Sequence, residues 1–290
     1  MPSPFNEFIN KTDPSFSEEN LSSYHLTIHV SHDRALFLFL DAARNKYIRL
    51  TGFKLEEYLT EKQYIAKLVD LIRERPYLAL PSEKVMLMVD VEKSTLIPSA
   101  LFNEDETEAY SKLNFEVGEG CHVYSDRMAM LDAVNIYPAP ADLRPVFREI
   151  YSQITILCSA TALIETILMR YKNHPIDKQM FVHVRDSYAD ILIMDGPQLL
   201  YFNIFPYKTG EDFVYYIIYV LEQLEINPEE ADLVLMGYID RKSELFEMAF
   251  RYIRNIRFEK RSDAFEYSYV FSELPSHRYL NLLNARLCAL

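Results

Sequence analysis

One stretch of this chain occurs twice, and that limits the folds open to it more than any other feature. Moving the sequence by 154 residues lays His29–Lys54 on His183–Lys208 without a gap. His29 falls on His183, Val30 on Val184, Leu38 on Leu192, Asp41 on Asp195, Tyr47 on Tyr201 and Lys54 on Lys208. The other pairs mostly keep their polarity class. A repeat of this kind marks a duplicated structural unit.

Within the first copy, Leu26–Ser31 alternates apolar and polar residues, the period of a strand. Arg34–Asp41 and Lys46–Phe53 follow at turn-length gaps as two further strands. From Glu56 the period becomes helical, with Tyr58, Ile65, Leu68, Val69 and Ile72 on one face and Pro76 closing the segment. Lys84–Asp90 is a short apolar run, predicted as a buried strand. The second copy repeats that order. Strands are predicted at Phe181–Arg185, Ala189–Asp195 and Leu199–Pro206, then a helix over Glu211–Leu224, a strand over Ala231–Ile239 and a helix over Ser243–Tyr252.

Each half is therefore β-β-β-α-β-α. Helices between strands favour mixed sheets with covered faces, so the chain is α/β, two tandem domains with a cleft between them. Residues 1–20 show no period and are expected as a tail, with domains over 21–150 and 151–290. Between the copies, a helix is expected at Asn103–Lys112, strand or hairpin at Cys121–Tyr137 and a breaker at Pro138–Ala141. A helix at Leu143–Tyr151, a strand at Ile154–Cys158 and a helix at Ala160–Tyr171 follow. Leu280, Leu283, Leu287 and Leu290 predict a terminal helix docked on the body.

A net charge of −13 argues against a nucleic-acid partner, whose phosphates need a basic patch, and against an anionic membrane surface. The apolar run Ala35–Leu40 falls far short of the roughly 18 residues that a spanning helix requires. No basic-then-apolar leader is expected at the start. Three scattered cysteines suit a reducing cytoplasm better than a disulfide framework. Glycine is scarce, six residues in 290, and glycine is what lets a backbone loop close around a phosphate.

Three strands followed by αβα, duplicated in one chain, resemble the actin, sugar-kinase and Hsp70 superfamily with its twin ribonuclease-H-like domains. Where those proteins often carry Val-Asp-Ile-Gly-Gly-Gly-Thr-Thr-Asp-Ile, this chain has Val182, His183, Val184, Arg185, Asp186, Ser187, Tyr188, Ala189, Asp190 and Ile191. Their adenosine-contacting Val-Leu-Thr-Gly-Gly is similar to Val234-Leu235-Met236-Gly237-Tyr238. The whole chain also resembles a bacterial family of about this length that has an actin-like ATPase fold and no established activity. The likeness covers both strand units and Ala231–Tyr252, and residues 103–171 match it poorly.

The departures bear on chemistry. The resemblance implies a metal-holding Asp on the first strand, and His29 and His183 stand there instead. Ser31 and His32, or Arg185, Asp186 and Ser187, replace the phosphate-wrapping glycines, and Tyr238 replaces the second glycine of the adenosine turn. The resemblance places the cleft candidates at His183, Arg185, Asp186, Asp190 and Gly237.

Two facing histidines with Asp33, Asp186 or Asp190 would suit a metal, although ordinary polar contacts are the simpler expectation. Arg185, Lys208 and Arg241 have the charge for an anion pocket, against solvated charge at strand ends. Cys121 and His122 have the types for a nucleophile and base, but neighbours on a strand face opposite ways. Asp41 and Asp195 are explained by turns. The aromatics Tyr201, Phe202, Phe205 and Tyr207, with Tyr215, Tyr216 and Tyr219, suit core packing or a protein interface better than base stacking.

The expected function is a non-catalytic scaffold or interaction module, with a protein partner or a homodimer and no cofactor. The alternative is an atypical ATPase or phosphotransferase holding its ligand in the cleft. A ribonuclease-H-like nuclease would need an acid on the first strand.

Overall fold

Strands that are apolar on both faces need cover on both faces, and this requirement shapes the first half. The computed structural model describes residues 4–57, 59–79, 84–173 and 177–289. It opens with β1 (Phe5–Thr12), β2 (Tyr24–Val30), β3 (Arg34–Asp41) and β4 (Lys46–Leu55), then α1 (Glu61–Arg73), a short α2 (Pro76–Ala79) and β5 (Lys84–Val89). Strands β2, β3 and β4 pair antiparallel in turn, and β5 runs parallel beside β2. Helix α1 starts later than the period at Glu56 suggests, because Thr60 and Gln63 form a capping box that fixes its first turn. It buries Tyr64, Ile65, Leu68, Leu71 and Ile72 against Phe37, Phe53 and Leu87 of the sheet. The predicted helical position Tyr58 and the terminal Leu290 lie outside the described residues.

The expected tail at residues 1–20 is corrected. Phe5–Thr12 is an outer strand paired antiparallel with β4, and Phe5 is buried beside the Tyr64 ring. Its polar outward face hides the period, because an outer strand shows water one side and one edge.

The middle of the chain forms β6 (Thr95–Pro98), α3 (Thr107–Asn114), β7 (Cys121–Arg127) and β8 (Ala133–Pro140), a three-stranded sheet in the order β6-β8-β7. The predicted breaker Pro138–Ala141 is corrected in part, since β8 runs on through Pro138 and Pro140. Those prolines are tolerated because β6 pairs only with Ala133–Ile136, which leaves the proline-bearing end unpaired on that side. Next come α4 (Leu143–Ile150), β9 (Ile154–Cys158) and α5 (Ser159–Tyr171). Strand β9 adds parallel to β5 and so completes the first sheet's far side.

The second copy gives β10 (Gln179–Val184), β11 (Tyr188–Asp195), β12 (Gln198–Pro206), α6 (Gly210–Gln223), β13 (Asp232–Gly237), α7 (Glu244–Tyr252) and β14 (Asn255–Phe258). Its sheet has the order β12-β11-β10-β13-β14, with β10 and β13 parallel. The antiparallel trio with a parallel fourth strand beside its first member thus appears in both sheets. The chain then returns: β15 (Glu266–Tyr267) pairs with β4, and α8 (Leu280–Asn284) is buried. Tyr47 donates to the Leu283 carbonyl at 2.7 Å. The buried Arg286 guanidinium reaches Thr27 Oγ1 at 3.0 Å, and burial pushes its pKa down to about 10. The expected docking of the C-terminal segment on the body is what the structure has.

Candidate functional site

In α/β sheets, ligands gather beyond the carboxyl ends of parallel strands. Here those ends are β2 with β5, and β10 with β13, and the candidate residues lie on them. Side chains fill the place.

His183 on β10 stands directly opposite Asp190 on β11, and His183 Nδ1 pairs with Asp190 Oδ2 at 2.9 Å. Arg185 Nη2 donates to the other oxygen, Asp190 Oδ1, at 2.6 Å. Asp190 is 1% exposed and Arg185 is 6% exposed, so the pair is out of water. Burial by itself would lower the Arg185 pKa, but Asp190 and Asp90 outweigh that and hold it above its ordinary value. Arg185 Nη1 also donates to the Val91 carbonyl, just past β5, at 2.9 Å. Its guanidinium therefore ties the second sheet to the first, while its own carbonyl accepts from Tyr207 at 2.5 Å.

The duplicated histidine finds a different carboxylate. Opposite His29 on β3 stands Leu36, so no acid is available there, and His29 Nε2 pairs with Asp90 at the end of β5 at 2.9 Å. Burial would raise the Asp90 carboxyl, but His29, Arg185 and the Ser159 hydroxyl together hold it below the usual 3.8. A folded-state pKa below the unfolded one means stability present above pH ~4 and lost as pH falls through the folded value. Asp90→Asn is expected to flatten the loss of stability between about pH 4 and 2, read from denaturant midpoints at each pH.

A second link spans the two turns. Arg34 Nη2 donates to Asp186 Oδ1 at 2.7 Å, and its guanidinium lies 4.8 Å from the centre of the Tyr238 ring. Burial raises the Asp186 carboxyl, and Arg34 offsets part of that. Asp33 pairs with Arg34 and Lys54. Gly237 has φ +89°, a left-handed conformation, and its N–H donates to the His277 carbonyl at 2.9 Å. A Cβ there would come 2.2 Å from the Val184 carbonyl oxygen.

All five cleft candidates (His183, Arg185, Asp186, Asp190 and Gly237) thus sit around the same strand ends: His183 and Arg185 are bonded to Asp190, Asp186 to Arg34 of the opposite half, and Gly237 to His277. His29 and His183 each hold a carboxylate of their own, and among the described residues no cluster of three or more His, Cys, Asp or Glu is poised for a metal. The anion trio does not assemble: Arg185 is bonded as above, Arg241 stacks over Phe246 and Phe258, and Lys208 is exposed. The Cys121 thiol meets Glu61 rather than His122, and burial with Glu61 pushes its pKa up. Asp41 caps its turn by accepting from the Arg44 N–H at 3.1 Å. Tyr216 stacks on Phe205, and Tyr215 and Tyr219 lie exposed on α6.

Asp90, Val91 and Arg34 complete the arrangement, and sequence reasoning gave them no role there; Tyr238, read as replacing the second glycine of the adenosine turn, lies beside the Arg34 guanidinium. Asp90 had a visible signal, a carboxylate closing a wholly apolar strand. A cavity of about 20 Å³ under α5 and α8, and a groove of about 500 Å³ between β6 and β12, lie elsewhere, and none of the five candidates lines either.

A family model described as "Protein of unknown function (DUF3822)" matches residues 13–256. A solved protein from Bacteroides thetaiotaomicron VPI-5482, with an actin-like ATPase fold and unknown function, is 24% identical. It covers 84% of this chain and 93% of its own length, with a TM-score of 0.76. A chain of the PilM–PilN type IV pilus biogenesis complex is 10% identical, covers 91% of this chain and 97% of its own, with a TM-score of 0.56. No curated protein matches the chain in sequence. The fold is therefore that of the actin-like ATPases, as the repeated strand units predicted.

Proposed function

We propose that this chain, which belongs to the DUF3822 family, is a non-catalytic actin-like protein that acts by binding another protein. One observation carries the reading: Arg185, held by Asp190, reaches the Val91 carbonyl where a bound phosphate would need open backbone N–H groups. A triphosphate would have to displace a buried guanidinium from a carboxylate as well as find room. The scarcity of glycine points the same way. Support for a protein partner comes from the structural neighbour taken from a two-protein complex and from exposed aromatics such as Tyr215 and Phe250. Three free cysteines favour the cytoplasm, and no helix among the described residues is long and apolar enough to cross a membrane.

Calorimetry and thermal melts with Mg²⁺–ATP, Mg²⁺–ADP and Mg²⁺–GTP test this. A ligand at about 100 times its Kd adds about 2.7 kcal/mol to the native state. The expected result is no heat of binding and an unmoved melting temperature with millimolar nucleotide. Micromolar binding that Arg185→Ala changes would replace this reading with a nucleotide-dependent one.

A further inference from the structure

The two copies differ at the outer edge of their third strand. In the first sheet that edge is covered: β1 pairs with Arg49–Leu55 of β4, and β15 pairs with Lys46 and Tyr47. Moved by 154 residues, the covered positions become Asn203–Thr209 and Leu200 with Tyr201. Yet β12 ends its own sheet, and among the described residues no strand pairs with its outer edge.

An open edge is normally protected by charge, by proline or by irregularity. Gln198–Phe205 has no charged residue, and Pro206 comes only at its end. Its one irregularity is a bulge at Leu200, opposite Ile193 and Met194. On β4 a similar bulge at Ile48 separates the two covering strands, β15 on Lys46 and Tyr47 and β1 on Arg49–Leu55, so the residues flanking a bulge still accept partners. The Ile204 N–H is taken by Asn203 Oδ1 at 2.8 Å, which leaves the stretch before Asn203 as the open part.

That open part lines the groove of about 500 Å³. Five consecutive residues, Leu199 to Asn203, form one wall. Side chains alternate across a strand, so consecutive lining residues mean that the groove runs along the backbone edge rather than over one face. The facing wall is Ser94–Leu96 at the start of β6, with Asn114 and Leu131. Ser94 Oγ is buried there without a hydrogen-bond partner. No lining residue is charged.

We infer that this groove binds one extended, uncharged segment of another protein, which adds a strand to β12 as β1 and β15 do to β4. The chain's own β1 and β15 are already placed on β4, so the segment comes from outside. Ser94–Leu96 line the groove opposite β12, so a single extended segment in it has a wall on each side. Recognition comes from backbone hydrogen bonds at the edge, apolar contact with Leu200 and a bond to Ser94. Because no charge is involved, binding is insensitive to salt. This inference rests on the protein-binding reading above but is tested separately. Nucleotide in the cleft would sink that reading and leave the β12 result standing.

The probe is a displayed library of random peptides about 12 residues long, selected on the full chain and counter-selected on Leu200→Lys. Enriched peptides are expected to be uncharged and apolar at alternate positions. Hydrogen exchange on the wild type should show protection of Leu199–Asn203. Leu200→Lys and Leu200→Asp, which each put a charge into an uncharged groove, should each weaken binding about tenfold or more with little change in melting temperature. Protection on another face, equal binding by folded variants, or no peptide surviving counter-selection would overturn the inference. So would a wild-type dimer that Leu200→Lys dissolves, since the edge would then belong to a second copy.

Discussion

Asp190→Ala is expected to lower the unfolding free energy by about 3–5 kcal/mol, the cost of leaving a buried charge without its partner. Arg185 is 6% exposed, and its guanidinium would lose the carboxylate that it meets at 2.6 Å. His183 would lose its hydrogen bond in the same step. The loss should exceed that of the double variant Arg185→Met with Asp190→Leu, because removing both charges removes the desolvation cost with the attraction. Urea unfolding of the three proteins at neutral pH measures this. If the single and double variants were equally unstable, the pair would not be acting as a buried ion pair. The experiment also bears on function: the double variant removes the bond to Val91, so a cleft held shut by Arg185 should become more open to hydrogen exchange around Val91 and Tyr188.

The second large effect is expected at Gly237→Ala, on the order of 3 kcal/mol. Two costs add. The φ of +89° suits glycine and strains any residue with a Cβ, and that Cβ would lie 2.2 Å from the Val184 carbonyl oxygen. The oxygen belongs to the neighbouring strand, where it also accepts from the Tyr238 N–H at 2.7 Å. Relief would require β10 and β13 to part. In proteins that this turn resembles, the position contacts adenosine; here packing of one strand end against another already accounts for the glycine. A stable Gly237→Ala protein with an unchanged denaturant midpoint would contradict this.

Much of the fold was legible because its signals are local. Arg34–Asp41 has the predicted bounds, and β12, α6 and α7 begin or end within one residue of them. Their periods depend on neighbours along the chain, and burying those apolar faces is what folding rewards. The edge strands were less legible. Phe5–Thr12 shows mostly polar side chains, and its pairing is made by backbone groups that leave no mark in composition.

The candidate site was half legible. The duplication put His29 and His183 in equivalent places, and both occur at strand ends facing the same region. It could not say what each would hold. His183 meets an acid because Asp190 stands opposite on β11, while the matching position opposite His29 is Leu36. Asp90 and Arg34, distant in sequence from Arg185 and Asp186, join them only when the strand ends meet.

By itself, then, the sequence determined that there are two strand-and-helix units of one kind and that glycine is missing where a phosphate loop would need it. Both follow from residue type and spacing. Tertiary structure alone decided that Ile154–Cys158, Phe5–Thr12 and Glu266–Tyr267 all join the first sheet, that Arg185 bridges to Val91, and that among the described residues no strand covers the outer edge of β12. The physical reason is that backbone pairing and ion pairing join groups far apart in the chain, and neither depends on a local period.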